Sequence, residues 1–263
     1  MLPRLGAVGV VVALSIARVC DSWVMENIER ETIRLETPGS YRRRPVPCQG
    51  IVELPQPSAS PCMFSDVLKR RQSADSFLPL SEEDLSNFLH DVASLQQLDL
   101  SDGNRQRRYV ASMGALHPEH LLLYRPRKGW FAYLPERHAL GVLEVNQDSA
   151  TAVRDIVREH HPSETATVLC LLSDCELAGN YYEHYVSLLF KDAGVLLGHA
   201  SLVAAAHNLA FRILGRNGIK AMNGLIPGLP FKSLASGLAL LGQAGHLEPS
   251  IEVRPTAVRL DAV

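Results

Sequence analysis

Apolar residues recur with helical spacing in PLSEEDLSNFLHDVASLQQL, residues 79–98. Leu85, Phe88, Leu89 and Val92 fall on one face, which predicts an amphipathic helix with that face buried. Ser81 stands at the N-cap position, and Glu82, Glu83 and Asp84 place negative charge in the first turn, toward the positive end of the helix dipole. A shorter helix is predicted over FSDVLKRRQS (64–73), where Phe64, Val67 and Leu68 are apolar at helical spacing and Ser65 or Asp66 could cap its start. EHLLLYRP and GWFAYLP read as two strands joined by the basic glycine turn RPRKG, hence a hairpin. TAVRDIVREHH (151–161) is a short amphipathic helix, and TATVLCLLSD (165–174) has the length and unbroken apolarity of a central buried strand. From Asp192 to Leu214 runs the longest helical pattern, with Asp192 as its expected cap. It is apolar almost all round and rich in Ala and Gly, so it is expected to be a buried central helix. The polar stretch 99–108 reads as a loop, and the tail after Gly215 is less periodic. Helices and strands interleave without strict βαβ alternation, which predicts an α+β fold with an antiparallel component.

Proline is dense in TPGSYRRRPVPCQGIVELPQPSASP (37–61), so residues 25–61 are expected to run extended over a surface. Residues 1–24 hold an apolar run, Leu5 to Ala17, too short for a bilayer span of about 20 residues. Three readings of it stand open: a signal peptide ending near Ser15-Ile16-Ala17, a true start at Met25, or a short helix packed on the body. A cytoplasmic protein that spans no membrane is the expectation.

The chain has 263 residues, 46% of them hydrophobic, with a net charge of -2 and a pI near 6.6. That is enough apolar material for a sizeable core, and nothing in it marks a nucleic-acid binder. The basic clusters Arg42–Arg44, Lys69–Arg71 and Arg105–Arg108 are short and read as solvated faces. Five cysteines at irregular spacing make no disulfide framework, and Cys170 and Cys175 read as buried thiols rather than metal ligands. His199 and His207 lie eight residues apart, about 12 Å along a helix, too far to share an ion. No metal site is expected. Phosphate-loop, dinucleotide, zincin and nucleophile-elbow signatures are missing.

Two short segments carry candidate chemistry. KRRQS (69–73) joins arginine forks to a serine hydroxyl, a set suited to phosphate. ASMG (111–114) is a turn of small residues that lets backbone amides approach a flat ring. In chain order, RRQSADSF (70–77), PLSEEDLSNFL, ASMGALHPEHLLLY, WFAYLPERHAL and NYYEHYVSLLFKDAG resemble five successive segments of the nitroreductase superfamily, in its SagB-type branch. Members of that branch are flavin-dependent dehydrogenases that oxidise azolines in peptide natural products.

The resemblance spans residues 62–215 and implies a nitroreductase-like FMN domain over 62–263. The implied fold is an α+β sandwich: a central mixed or antiparallel sheet with flanking helices, homodimeric through long central helices that share two flavins. Arg70, Arg71 and Ser73 would meet the FMN phosphate and ribityl chain; Ser112, Met113 and Gly114 would line the isoalloxazine ring. Tyr181 keeps the tyrosine of the family's Lys-Tyr pair, whereas Asn180 replaces the lysine. His184, one turn on if the segment is helical, offers a second base. Asp75 replaces a basic residue, Ala111 a proline and Ser187 an arginine. The implied activity is FMN-dependent dehydrogenation of an azoline or related intermediate, with a peptide substrate or biosynthetic enzymes as partners. A flavin-poor scaffold subunit and a general NAD(P)H-dependent nitro or quinone reductase are the alternatives.

Overall fold

The computed structural model describes residues 24, 28, 30–58, 62–99 and 101–245. The apolar run and the Met25 start site lie outside them. Twelve strands can be followed in chain order. They are β1 (Ile33–Arg34), β2 (Gly50–Glu53), β3 (Phe77–Leu78), β4 (Gln97–Leu98), β5 (Gln106–Arg107), β6 (Glu119–Arg125), β7 (Gly129–Leu134), β8 (Ala139–Val142), β9 (Thr167–Asp174), β10 (Tyr182–Glu183), β11 (Leu209–Ile213) and β12 (Ser233–Ala244). The helices are α1 (Phe64–Arg70), α2 (Glu82–Ala93), α3 (Gln147–His160), α4 (Cys175–Gly179), α5 (Val186–Ala206) and α6 (Ile219–Met222).

The main sheet runs β11-β12-β9-β6-β7-β8-β2, with β3 beside β12, and every pairing in it is antiparallel. The fold is the expected α+β sandwich. β9 is buried along its whole length, as its unbroken apolar run requires. Alternation divides the core in two. Leu121, Leu123, Leu169 and Leu171 face α2 and α5, meeting Phe88, Leu89 and Leu196. Leu122, Cys170 and Leu172 face the other way, toward Val153 and Val157 of α3. Helix α2 starts as expected: the Ser81 hydroxyl accepts from the Asp84 amide at 3.0 Å. The Pro-rich segment is not merely a surface strap, because its β2 forms an edge of the main sheet on β8.

Two expectations are corrected. Helix α5 begins at Val186, not at Asp192, and ends at Ala206, not at Leu214. Asp192 sits inside the helix with its carboxylate turned into the protein. At the other end His207 closes the helix, Asn208 turns the chain at φ 55°, and Leu209–Ile213 pair with β12. The apolar run LAFRIL suits helix or strand, and the open edge of β12 decides for strand. The second correction is the tail, whose SLASGLALLGQA is a twelve-residue strand between β9 and β11. Its glycines obscured it. At Gly237 a Cβ would stand 2.8 Å from Leu197 Cδ1, so glycine is what lets α5 lie close on the sheet. Helix α5 is long and apolar enough to cross a membrane, and it packs here on α2, β11 and β12.

Candidate functional site

The 111–118 loop enters β6 through a one-turn 3₁₀ segment at Met113–Ala115. Asp192 of α5 reaches across to hold it. Ser112 Oγ donates to Asp192 Oδ2 at 2.5 Å, and the Met113 amide donates to both carboxylate oxygens at 3.1 and 2.9 Å. The His117 amide closes the loop on Ser112 Oγ at 2.8 Å. The Ala115 and Leu116 amides bond within the turn, while the Gly114 amide takes no part in these bonds. Gly114 (φ 52°), Ala115 (φ 61°) and His117 (φ 45°) are all left-handed, so the loop is held in a costly conformation. A Cβ on Gly114 would lie 2.8 Å from the Tyr182 hydroxyl, which places that phenol against the turn. Burial raises the Asp192 carboxyl above its ordinary pKa, while its bonds to Ser112 and Met113 pull the other way.

Beside the turn opens a cavity of about 710 Å³. Ser112 and Ala115 form part of its wall, and Arg105, Arg107, Arg108 and His117 another part. Burial holds the His117 imidazole neutral, with a pKa lowered to about 3, and the Arg108 and Arg43 charges add to that shift.

A second cavity, of about 340 Å³, lies where α1 meets the end of α5. Lys69, Arg70, Gln72, Ser76 and Asn208 line it. Arg70 Nη1 donates to Asn208 Oδ1 at 2.6 Å, which fixes the guanidinium there. Arg71 and Ser73 are exposed beside it and are not part of its wall. Asp75 is neutralised by an ion pair with Arg212, a partner that sequence spacing could not reveal.

The residues from the NYYEHY segment (180–185) fall differently. Tyr181 is buried; its hydroxyl donates to Asp102 at 2.5 Å and accepts from Asn104 at 3.2 Å. Burial and the Asp102 bond raise its pKa. Asn180 Oδ1 accepts from the Tyr41 amide at 2.9 Å, tying down the Pro-rich segment. His184 is not one helical turn from Tyr181: residues 180–185 form a turn and the short β10, and His184 has φ 51°. Its carbonyl accepts from Thr32 at 3.1 Å. Sequence reasoning missed Tyr182, Asp192 and Asp102. The doubled tyrosine did not say which phenol faces the turn, and Asp192, though it stands in the KDAG of the fifth segment, read as a helix cap. His199 and His207 bond to Asp91, on its carbonyl and its carboxylate, as packed helix histidines should.

No protein-family model matches the chain, and no curated protein does. Solved structures do match its fold. A protein described as a nitroreductase from Ralstonia eutropha JMP134 superposes with a TM-score of 0.53 at 16% identity, over 81% of this chain and 99% of that one. A chain of the Escherichia coli microcin synthetase McbBCD complex with truncated pro-MccB17 bound gives 0.51 at 17%, over 92% and 98%. Another protein described as a nitroreductase, from Anabaena variabilis ATCC 29413, gives 0.53 at 18%, over 84% and 46%. The chain therefore has the nitroreductase fold.

Proposed function

We propose that this protein is an FMN-dependent oxidoreductase, and specifically a dehydrogenase that oxidises an azoline or related peptide-derived intermediate in natural-product biosynthesis. The observation that carries the reading is the turn at Ser112–Gly114, clamped by Asp192 from the central helix beside the largest cavity described above. A small-residue turn so fixed offers a flat, rigid wall to a ring. The Arg70 cavity fits the other end of the cofactor, since Lys69 and Arg70 offer cations to a phosphate, with Arg71 and Ser73 alongside. The fold also occurs in a microcin synthetase complex with truncated pro-MccB17, the kind of setting this reading implies. Arg70 and Ser112 line separate cavities of one chain, so the reading includes a homodimer whose two copies each supply half of a site.

FMN, when bound, supplies the two-electron acceptor chemistry that azoline oxidation needs. The chain's own groups must orient the substrate and take a proton from its Cα. The Tyr182 hydroxyl lies against the turn, which supports it as the group that exchanges that proton. His184 is the one basic side chain of the 180–185 segment and is the group to receive it. Tyr181 and Asn180 act beside them, Tyr181 as a proton donor to Asp102 and Asn180 by fixing the segment.

One observation favours a second reading. The Ser112 hydroxyl and Met113 amide are both taken by Asp192, which leaves few donors for a flavin and suits a scaffold subunit. The absorption spectrum separates the two. A flavoprotein is yellow as purified, and Arg70→Ala lowers its FMN affinity roughly ten- to a hundredfold. A colourless protein that takes up no added FMN is the scaffold. Single-turnover reduction by a synthetic azoline peptide then tests substrate: bound FMN that stays oxidised removes the azoline assignment.

A further inference from the structure

Strands β6 and β7 pair only from Leu122–Ala132 to the hairpin turn. Beyond that pair they part, because β7 continues on β8 while Glu119–Leu121 continue on β9. A cavity of about 250 Å³ opens in the gap, roofed by residues 43–46 of the Pro-rich segment. It shares only Arg108 with the larger cavity and includes neither Ser112 nor Arg70.

One arginine from each of two basic clusters expected on solvated faces, Arg43 and Arg108, turns inward here, while Arg42, Arg44 and Arg107 stay exposed. Arg43 sends its guanidinium to the carbonyls of Leu116 and His117, the latter at 3.0 Å. Arg108 Nε donates to Gln106 Oε1 at 3.1 Å. Among the described residues neither guanidinium forms an ion pair. Three buried atoms on the same wall have no hydrogen-bond partner: Arg43 Nε, Glu119 Oε1 and His120 Nε2. Glu119 is itself only 6% exposed. Unpaired guanidiniums in a low-dielectric cavity are costly, and an anion relieves that cost. The rest of the wall includes Val46, Leu121 and Leu196, which favours an apolar body on the ligand, and Glu136, whose charge offsets part of that of Arg43 and Arg108 and leaves the pair a net positive charge for one monoanion. The volume is below the roughly 300–1,000 Å³ of drug-sized pockets, so the ligand is small.

We propose that the gap between β6 and β7 is a binding site for a small organic monocarboxylate, held by Arg43 and Arg108 and donated to by Glu119. Burial, with Asp192 nearby, pushes the Glu119 carboxyl up to about 8, so it is a neutral donor at pH 7. The charged groups acting on it are Asp192 of α5, Arg108 of the loop before β6 and Arg43 of the Pro-rich segment. His120 beside it stays neutral, its pKa lowered to about 3 by burial. An anion bound next to Glu119 keeps the carboxyl protonated and is repelled once it ionises.

The test is calorimetric titration of the purified full chain with sodium benzoate, with inorganic phosphate as the second arm. Benzoate is expected to bind one to one, with affinity that falls as pH rises through about 8. Glu119→Gln, which keeps the shape and the donor, should bind at pH 7 and lose that pH dependence. Arg108→Met should weaken benzoate at least tenfold, with its circular dichroism unchanged. Any of three results overturns the proposal: no benzoate heat at millimolar concentration, a pH profile untouched by Glu119→Gln, or phosphate that binds more tightly than benzoate. None of them depends on flavin, whose content is read from the same samples by absorbance.

Discussion

At the scale of the residue, the 112–117 loop shows how one carboxylate can organise a turn. Asp192 accepts from one hydroxyl and one amide and so offsets the strain of three left-handed residues nearby. Gly114 is the tightest point. Gly114→Ala puts a side chain at φ 52° and a Cβ 2.8 Å from the Tyr182 hydroxyl. The left-handed backbone alone costs roughly 1–2 kcal/mol. Urea unfolding should show at least that loss, and a smaller one in a Tyr182→Phe background, where the clashing oxygen is gone. Equal losses in both backgrounds would mean the phenol is not against the turn. Glu119 makes a second prediction. Its carboxyl titrates at about 8 folded, against an ordinary value of 4.5. Below 4.5 both states hold the proton. Between the two values unfolding releases it, so stability falls as pH rises, and above about 8 the slope ends. Denaturation midpoints in Glu119→Gln should lose this descent.

At the scale of the element, local signals worked where polar punctuation was clear. Helix α2 has its cap, its acidic first turn and its apolar stripe, and it forms where expected. Ser81→Ala should cost about 0.5–2 kcal/mol, measured by urea unfolding, because the Asp84 amide loses its partner. Helix α5 shows the converse. Asp192 looks like a cap because aspartate commonly is one, yet six helical residues precede it. Its inward direction depends on a loop eighty residues away in the chain. The same limit hid β11 and β12. A run of Leu, Ala and Gly has little preference of its own, and its strand form follows from the neighbours it pairs with.

At the scale of the whole molecule, α5 leaves Val195 46% exposed on an otherwise apolar helix. The proposed homodimer would cover Val195 and join the two separate cavities. Light scattering at micromolar concentration should give twice the chain mass, and Val195→Glu should shift it toward one. A wild-type monomer would sink both the homodimer and the shared flavin.

The sequence alone determined the α+β class, the central hairpin, the buried β9 and the cap of α2, because each rests on periodicity or on a local hydrogen bond. The order of its short motifs also singled out Arg70 and the Ser112–Gly114 turn as the proposed cofactor contacts. Tertiary structure decided the rest. Which tyrosine meets the turn, which carboxylate clamps it and which arginines leave the surface all depend on strands and helices meeting from distant parts of the chain. Asp192 could look like a cap, and Arg43 like a solvated cation, because a local pattern records a residue's chemistry but not its partner. Burial and pairing, set by packing, choose between those roles.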